Sequence, residues 1–214
     1  MPCGIYRAVL APAWWSGSAT CGFGGSVVDL IDEAFGLQAF LDRHGCRFCF
    51  IGGLAVQSWG EPRLTLDIDV SLLTGFGGEE RAVDLLLAAY MPRIETARAF
   101  ALENRVLLVR SPGGIGIDVS LAALLYEEGV IERAVLVELL PGKGLRLCSP
   151  EDLIIMKLFA GRDTDLRDAR SVVVRQGADQ LDWSYVEKHL AELADLKDDP
   201  NLMDQLRRIR HSLQ

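Results

Sequence analysis

Two glycines set between a short apolar run and a strand with paired aspartates leave this chain few ways to fold. The stretch runs Phe48-Cys49-Phe50-Ile51-Gly52-Gly53-Leu54-Ala55-Val56, on to Trp59 and Pro62, and then Leu66-Asp67-Ile68-Asp69-Val70-Ser71-Leu72. Its apolar runs predict a strand over Arg47–Ile51, a helix over Leu54–Trp59 and a second strand over Leu66–Leu72. Alternate residues of a strand share a face, so Asp67 and Asp69 stand side by side while Ile68, Val70 and Leu72 face a core. Two carboxylates on one face of an apolar strand repel each other, and burying them without a cation is costly. A divalent cation relieves both problems.

A further strand is predicted over Ile115–Leu121, with Asp118 between Ile117 and Val119. Acids are depleted in strands, so three in this setting call for a purpose. If the two strands are neighbours, Asp67, Asp69 and Asp118 converge into a ligand set for two Mg²⁺ ions. Gly52-Gly53 turns from strand to helix and leaves backbone N–H groups free to hold phosphate. Lys157 is the one basic residue on an almost wholly apolar helix predicted over Glu151–Ala160, and an ammonium there needs an anion: a triphosphate or one of the aspartates. Arg63 and Thr65 precede the acidic strand, where alternation puts Thr65 on the face of Asp67. Asp165 and Asp168 lie one helical turn apart and are accessory candidates.

The remaining pattern is α/β (α+β): a mixed sheet flanked by helices, followed by a helical segment. Helices are expected over Ser26–Arg43, Glu79–Tyr90 and Ala122–Arg133, a strand over Val106–Arg110, and a hairpin from Ala134–Leu139 to Leu145–Cys148. Ser149-Pro150-Glu151-Asp152 opens a helix, since Ser caps well and Pro fits the first turn. Later helices are expected near 164–175, 182–196 and 201–212; residues 91–103 carry no clear period. The organisation expected is a poorly ordered N-terminal extension over 1–25, where Pro12 breaks the apolar part, a core over 26–148, and a helical region over 149–214 packed on it.

The 214 residues carry a formal net charge of −8, which argues against broad nucleic-acid binding but not against a local basic patch. No apolar run approaches the roughly 18 residues that span a bilayer, so no membrane partner is expected. Five irregularly spaced cysteines make a poor disulfide framework, and Cys46-x-x-Cys49 has no second pair to complete a zinc site. Reduced thiols point to the cytoplasm. Arg207, Arg208, Arg210 and His211 form a basic end that suits a helix C-terminus, with an RNA contact as the sharper alternative.

Ile51-Gly52-Gly53, then Asp67-Ile68-Asp69-Val70, then Ile117-Asp118-Val119 resembles the signature of the DNA-polymerase-β-like nucleotidyltransferase superfamily. The fuller string, with Leu54-Ala55, Gly60, Pro62-Arg63 and Thr65, is similar to AbiEii-like toxins and to small aminoglycoside or lincosamide nucleotidyltransferases. Pro150 to Leu158 with Arg162, Asp165 and Asp168 resembles the toxin-like branch. The resemblance spans about residues 27–171. It implies that Asp67 and Asp69 bind both metals, that Asp118 binds the metal at the attacking hydroxyl and accepts its proton, and that the Gly52 and Gly53 amides hold the β- and γ-phosphates. Arg63, Thr65 and Lys157 fall on the nucleotide. The implied substrates are an NTP and a hydroxyl acceptor (tRNA, protein or a small molecule), with a cognate antitoxin as a partner.

Overall fold

The structure, a computed structural model, describes residues 27–211; the extension expected over 1–25 lies outside them. The chain begins with α1 (Val27–Arg43), then β1 (Phe48–Phe50), α2 (Gly52–Trp59) and β2 (Asp67–Leu73). Next come α3 (Glu79–Leu87), β3 (Met91–Pro92), α4 (Ala97–Asn104), β4 (Val106–Arg110), β5 (Gly116–Ala122) and α5 (Leu125–Glu132). A hairpin of β6 (Val135–Leu140) and β7 (Lys143–Leu147) leads into α6 (Pro150–Ala160), α7 (Asp163–Gln176), α8 (Trp183–Lys197) and α9 (Asn201–His211).

The strands form one mixed sheet in the order β3-β4-β5-β2-β1-β7-β6. β2 runs parallel to β5, and β1 parallel to β7; the other neighbours are antiparallel. Alternation along the strands divides the apolar side chains. Ile68, Val70, Leu72, Ile117, Val119 and Leu121 are sealed by α1, α3 and α4. The opposite face, through Cys49, Ile51 and Ala122, packs under α5 and the four C-terminal helices. The α/β architecture with a mixed sheet and a helical C-terminal segment is thus as the pattern predicts.

Boundaries moved where tertiary pairing overrode local pattern. The helix expected from Ala122 starts at Leu125, because the β2–β5 ladder continues to Leu73 opposite Ala122. Glu127 then ties off the start, its carboxylate accepting from the amides of Ala123 and Leu124 at 2.9 Å each. The unperiodic stretch 91–103 holds β3 and α4. β3 is a sheet edge, where the missing N–H of Pro92 does no harm. At α6 the expected cap is present: Ser149 Oγ accepts from the Asp152 amide at 3.1 Å, with Pro150 in the first turn.

Candidate active site

The parallel register of β2 and β5 decides where the acids meet. Asp69 lies directly opposite Asp118, and Asp67 opposite Gly116. Cross-strand partners share a face, so the three carboxylates occupy one patch. β4 extends the row, with Leu108 opposite Asp118. β3 completes it, because the Arg93 amide bonds to the Leu108 carbonyl at 3.0 Å. Asp69, Asp118, Leu108 and Arg93 therefore form a line across the sheet, and Arg93 Nη1 reaches over Leu108 to donate to Asp118 Oδ1. Gly116 makes this possible. A Cβ there would sit 2.2 Å from Asp67 Oδ1 and 2.8 Å from Arg93 Nη1.

The glycine pair is fitted to the same carboxylates. Gly52 opens α2 with a φ of +60°, and a Cβ on it would lie 1.9 Å from Asp69 Oδ2. The Gly53 amide donates to that oxygen at 3.3 Å. A Cβ on Gly53 would stand 2.2 Å from Thr65 Oγ1. The backbone thus needs both glycines to bring a helix N-terminus against an acid strand. Gly52→Ala is expected to cost about 1–3 kcal/mol in backbone strain alone and to push Asp69 aside. Thermal unfolding should show the loss, together with inactivity in any transfer assay; a variant with wild-type stability and activity would contradict this reading of Gly52.

Burial pushes Asp69 up to about 7, helped by the charge of Asp118 and opposed by Lys157 and the Gly53 amide. Asp118 is pushed up to about 6 by burial, with Arg93 pulling the other way and Asp67 adding to the rise. Asp69 Oδ1 is buried without a hydrogen-bond partner. Such groups are rare and costly.

Lys157 is buried, and its anions are the two aspartates one helical turn apart: Asp165 Oδ1 at 3.0 Å and Asp168 Oδ2 at 2.8 Å. Arg162 grips Asp165. Arg63 takes Asp168 through both oxygens, at 2.9 and 2.8 Å. Burial works to raise Asp168, but Arg63 and Lys157 prevail and hold it below its ordinary value. Arg63 and Asp168 thus join the loop before β2 to α7. Thr65 precedes β2 rather than lying in it. Its face is set by contact with Gly53 and not by strand alternation, because the ladder with β5 starts at Asp67. Arg210 pairs with Glu187, and Arg207 with Asp204, across helix surfaces.

Residues 27–211 match the family described as "Nucleotidyltransferase of unknown function (DUF6036)". The chain belongs to that family. This nucleotidyltransferase shares its fold with an antigenic nucleotidyltransferase-like protein from Paracoccidioides brasiliensis. That likeness has a TM-score of 0.50 and 20% identity, covering 85% of this chain and 94% of that one. It is also similar to the antibiotic-resistance factor ANT(2'')-Ia, with a TM-score of 0.51 and 16% identity, covering 79% and 94% of the two chains. No curated protein matches it.

In this nucleotidyltransferase the side chains of Asp67, Asp69 and Asp118 offer only oxygen atoms, the donor type that a hard divalent cation prefers. The orphaned Asp69 oxygen and the mutual repulsion of the carboxylates favour a cation among them. Among the described residues no group of three or more His, Cys, Asp or Glu side chains is placed so that it could hold a metal ion as it stands. Arg93 already engages Asp118, so the carboxylates are not held bare. Sequence reasoning missed Arg93, which sits in a segment without periodicity, and Gly116, whose only signal was its place before an Ile-Asp-Val strand. Arg93→Met should strengthen divalent-cation binding severalfold, read by Mn²⁺ titration under paramagnetic resonance. Unchanged or weaker binding would show that the guanidinium does not compete for the site.

Proposed function

We propose that this nucleotidyltransferase moves an NMP group from an NTP to a hydroxyl acceptor in the presence of Mg²⁺, with two ions held by Asp67, Asp69 and Asp118. The observation that carries this is the β2–β5 register, which sets Asp69 against Asp118 beside a glycine-opened helix N-terminus. The bound ions supply charge neutralisation at the phosphates. The α2 N-terminus and its glycine amides orient the triphosphate. Asp118 takes the proton of the acceptor hydroxyl, whose O–H electron pair stays on the attacking oxygen. The acceptor oxygen bonds to the α-phosphorus, the bond from that phosphorus to the bridging oxygen breaks, and pyrophosphate leaves with the electron pair. Lys157, tied through Asp168 to Arg63, places positive charge behind Asp69; Arg63 and Thr65 border the nucleotide. Asp165 and Asp168 hold that charge in position.

Residues 26–148 serve as the catalytic core and 149–214 as a C-terminal region packed on it, a reading that the apolar cluster shared by α2 and α6–α9 supports. A cytoplasmic location fits the free thiols of Cys46, Cys49 and Cys148. Among the described residues no helix is long and apolar enough to cross a membrane. The toxin role, with a cognate antitoxin as partner, rests on the Pro150–Asp168 pattern. The likeness to ANT(2'')-Ia favours a second reading, modification of a cationic antibiotic, which an acidic chain would attract. A module that binds nucleotide without turnover is the third. Incubation with each α-labelled NTP, Mg²⁺ and mixed acceptors separates them. Label transfer by the wild type, abolished by EDTA and by Asp67→Asn, supports the enzyme. Equal labelling by both proteins, or none by either, refutes NMP transfer to those acceptors.

A further inference from the structure

The outer face of α7 carries charge that the fold does not use. Arg167 and Arg170 are exposed, and among the described residues the side chain of neither makes an ion pair or hydrogen bond. Like charges one turn apart weaken a helix by roughly 0.2–0.5 kcal/mol, so stability does not explain them. They line a groove of 670 Å³ between α7 and the loop before β2. Arg175 is fixed at its wall, donating to the carbonyls of Gln57 at 3.2 Å and Gly60 at 2.6 Å. Pro62 and the exposed Val174 give the groove an apolar surface, and Glu61 is the one acid among its lining residues. Exposed Leu64 and Leu66 carry that apolar strip along the loop to Asp67. The loop that lines the groove with Glu61 and Pro62 continues through Arg63, which holds Asp168, to Asp67 at the start of β2, and so leads from the groove to the carboxylates.

The cations here are all arginines, in a chain whose net charge is −8. Guanidinium groups bind phosphate oxygens in pairs and stack on flat rings. Apolar side chains between them offer surfaces for bases. A cationic small molecule would be repelled. We infer that this groove holds the acceptor and that the acceptor is a single-stranded polynucleotide. Its phosphates lie along Arg167 and Arg170, its bases rest on Pro62, Val174 and Leu64, and its terminal hydroxyl is fed to Asp118. This rests on the nucleotidyl-transfer reading above.

The test uses the full chain and two probes of matching sequence, a 5′-labelled oligoribonucleotide and an oligodeoxyribonucleotide, titrated by fluorescence anisotropy at several salt concentrations. Wild type should bind at least one of them, more weakly as salt rises. Arg167→Glu/Arg170→Glu should lose about tenfold or more in affinity and reduce the salt slope by about two. Binding of a fluorescent NTP analogue should not change. Arg167→Ala/Arg170→Ala should show the same trend, which guards against a folding defect in the charge reversal. Preference for one probe identifies RNA or DNA as the strand. The inference is overturned if wild type binds neither probe, or if both double variants bind with wild-type affinity and slope. If label then moves to a small hydroxyl acceptor, nucleotidyl transfer survives and only the acceptor assignment falls. If NTP binds but no acceptor is ever labelled, the transfer reading itself has failed.

Discussion

Replacing Asp69 by asparagine is expected to slow NMP transfer by about 10³-fold or more, while leaving the protein without metal at least as stable as the wild type. Asp69 faces Asp118 across the ladder, receives the Gly53 amide and has one buried oxygen with no partner. An amide keeps the shape and removes the charge. Initial rates of pyrophosphate release measure the first part; a variant within tenfold of wild type would remove Asp69 from the chemistry. The second part follows from proton linkage. In the unfolded chain Asp69 titrates near 3.8, and in the fold near 7. Between those values the native state binds more protons, so stability falls as pH rises. At about 1.36 kcal/mol per pH unit, the roughly two units from pH 5 to the folded-state value of about 7 put the loss on the order of 3 kcal/mol. Thermal unfolding in EDTA should therefore show wild type less stable at pH 8 than at pH 5, and Asp69→Asn should flatten that slope. A wild-type profile that rises toward pH 8 would contradict the proposed strain.

The largest loss of stability is expected from Lys157→Met. The ammonium is bonded to two carboxylates whose side chains are only 2% and 7% exposed. Removing one member of a buried ion cluster costs about 3–5 kcal/mol, a large share of the roughly 5–15 kcal/mol that folded domains hold. Arg162 and Arg63 each still hold one acid, which keeps the expected value near the lower end of that range. In wild type the depressed titration of Asp168 contributes stability above its unfolded value, and this is lost on acidification. In Lys157→Met Asp168 loses that cation and binds its proton more tightly. The deficit should therefore shrink as pH falls. Denaturant unfolding of both proteins at pH 5 and pH 8 reads this directly; a deficit that does not depend on pH would mean that lost packing, not lost charge, is responsible.

Much of the site could be read from the chain because its signals are local. Gly-Gly after an apolar run, Asp-x-Asp in a strand and Asp118 between Ile117 and Val119 each need only a few neighbouring residues to be recognised. The sheet class followed from alternation and turn chemistry. What stayed hidden depended on contacts between distant segments. Arg93 joins the acids only because a two-residue strand places it at the end of a row across β4 and β5. The partners of Lys157 depend on how α7 packs against α6. The strand period stops short of Thr65, since Leu66 finds no partner on β5 and is left exposed, and it is Gly53 that Thr65 stands against.

The brevity of β3 has a consequence for observing this enzyme at work. Two paired residues at the margin of a sheet open far more readily than its interior, and Arg93 leaves this margin to neutralise Asp118. The amide of Arg93, bonded to Leu108, is therefore a built-in reporter. Its hydrogen–deuterium exchange should quicken when another cation takes over Asp118 and frees the side chain, giving a label-free readout of occupancy.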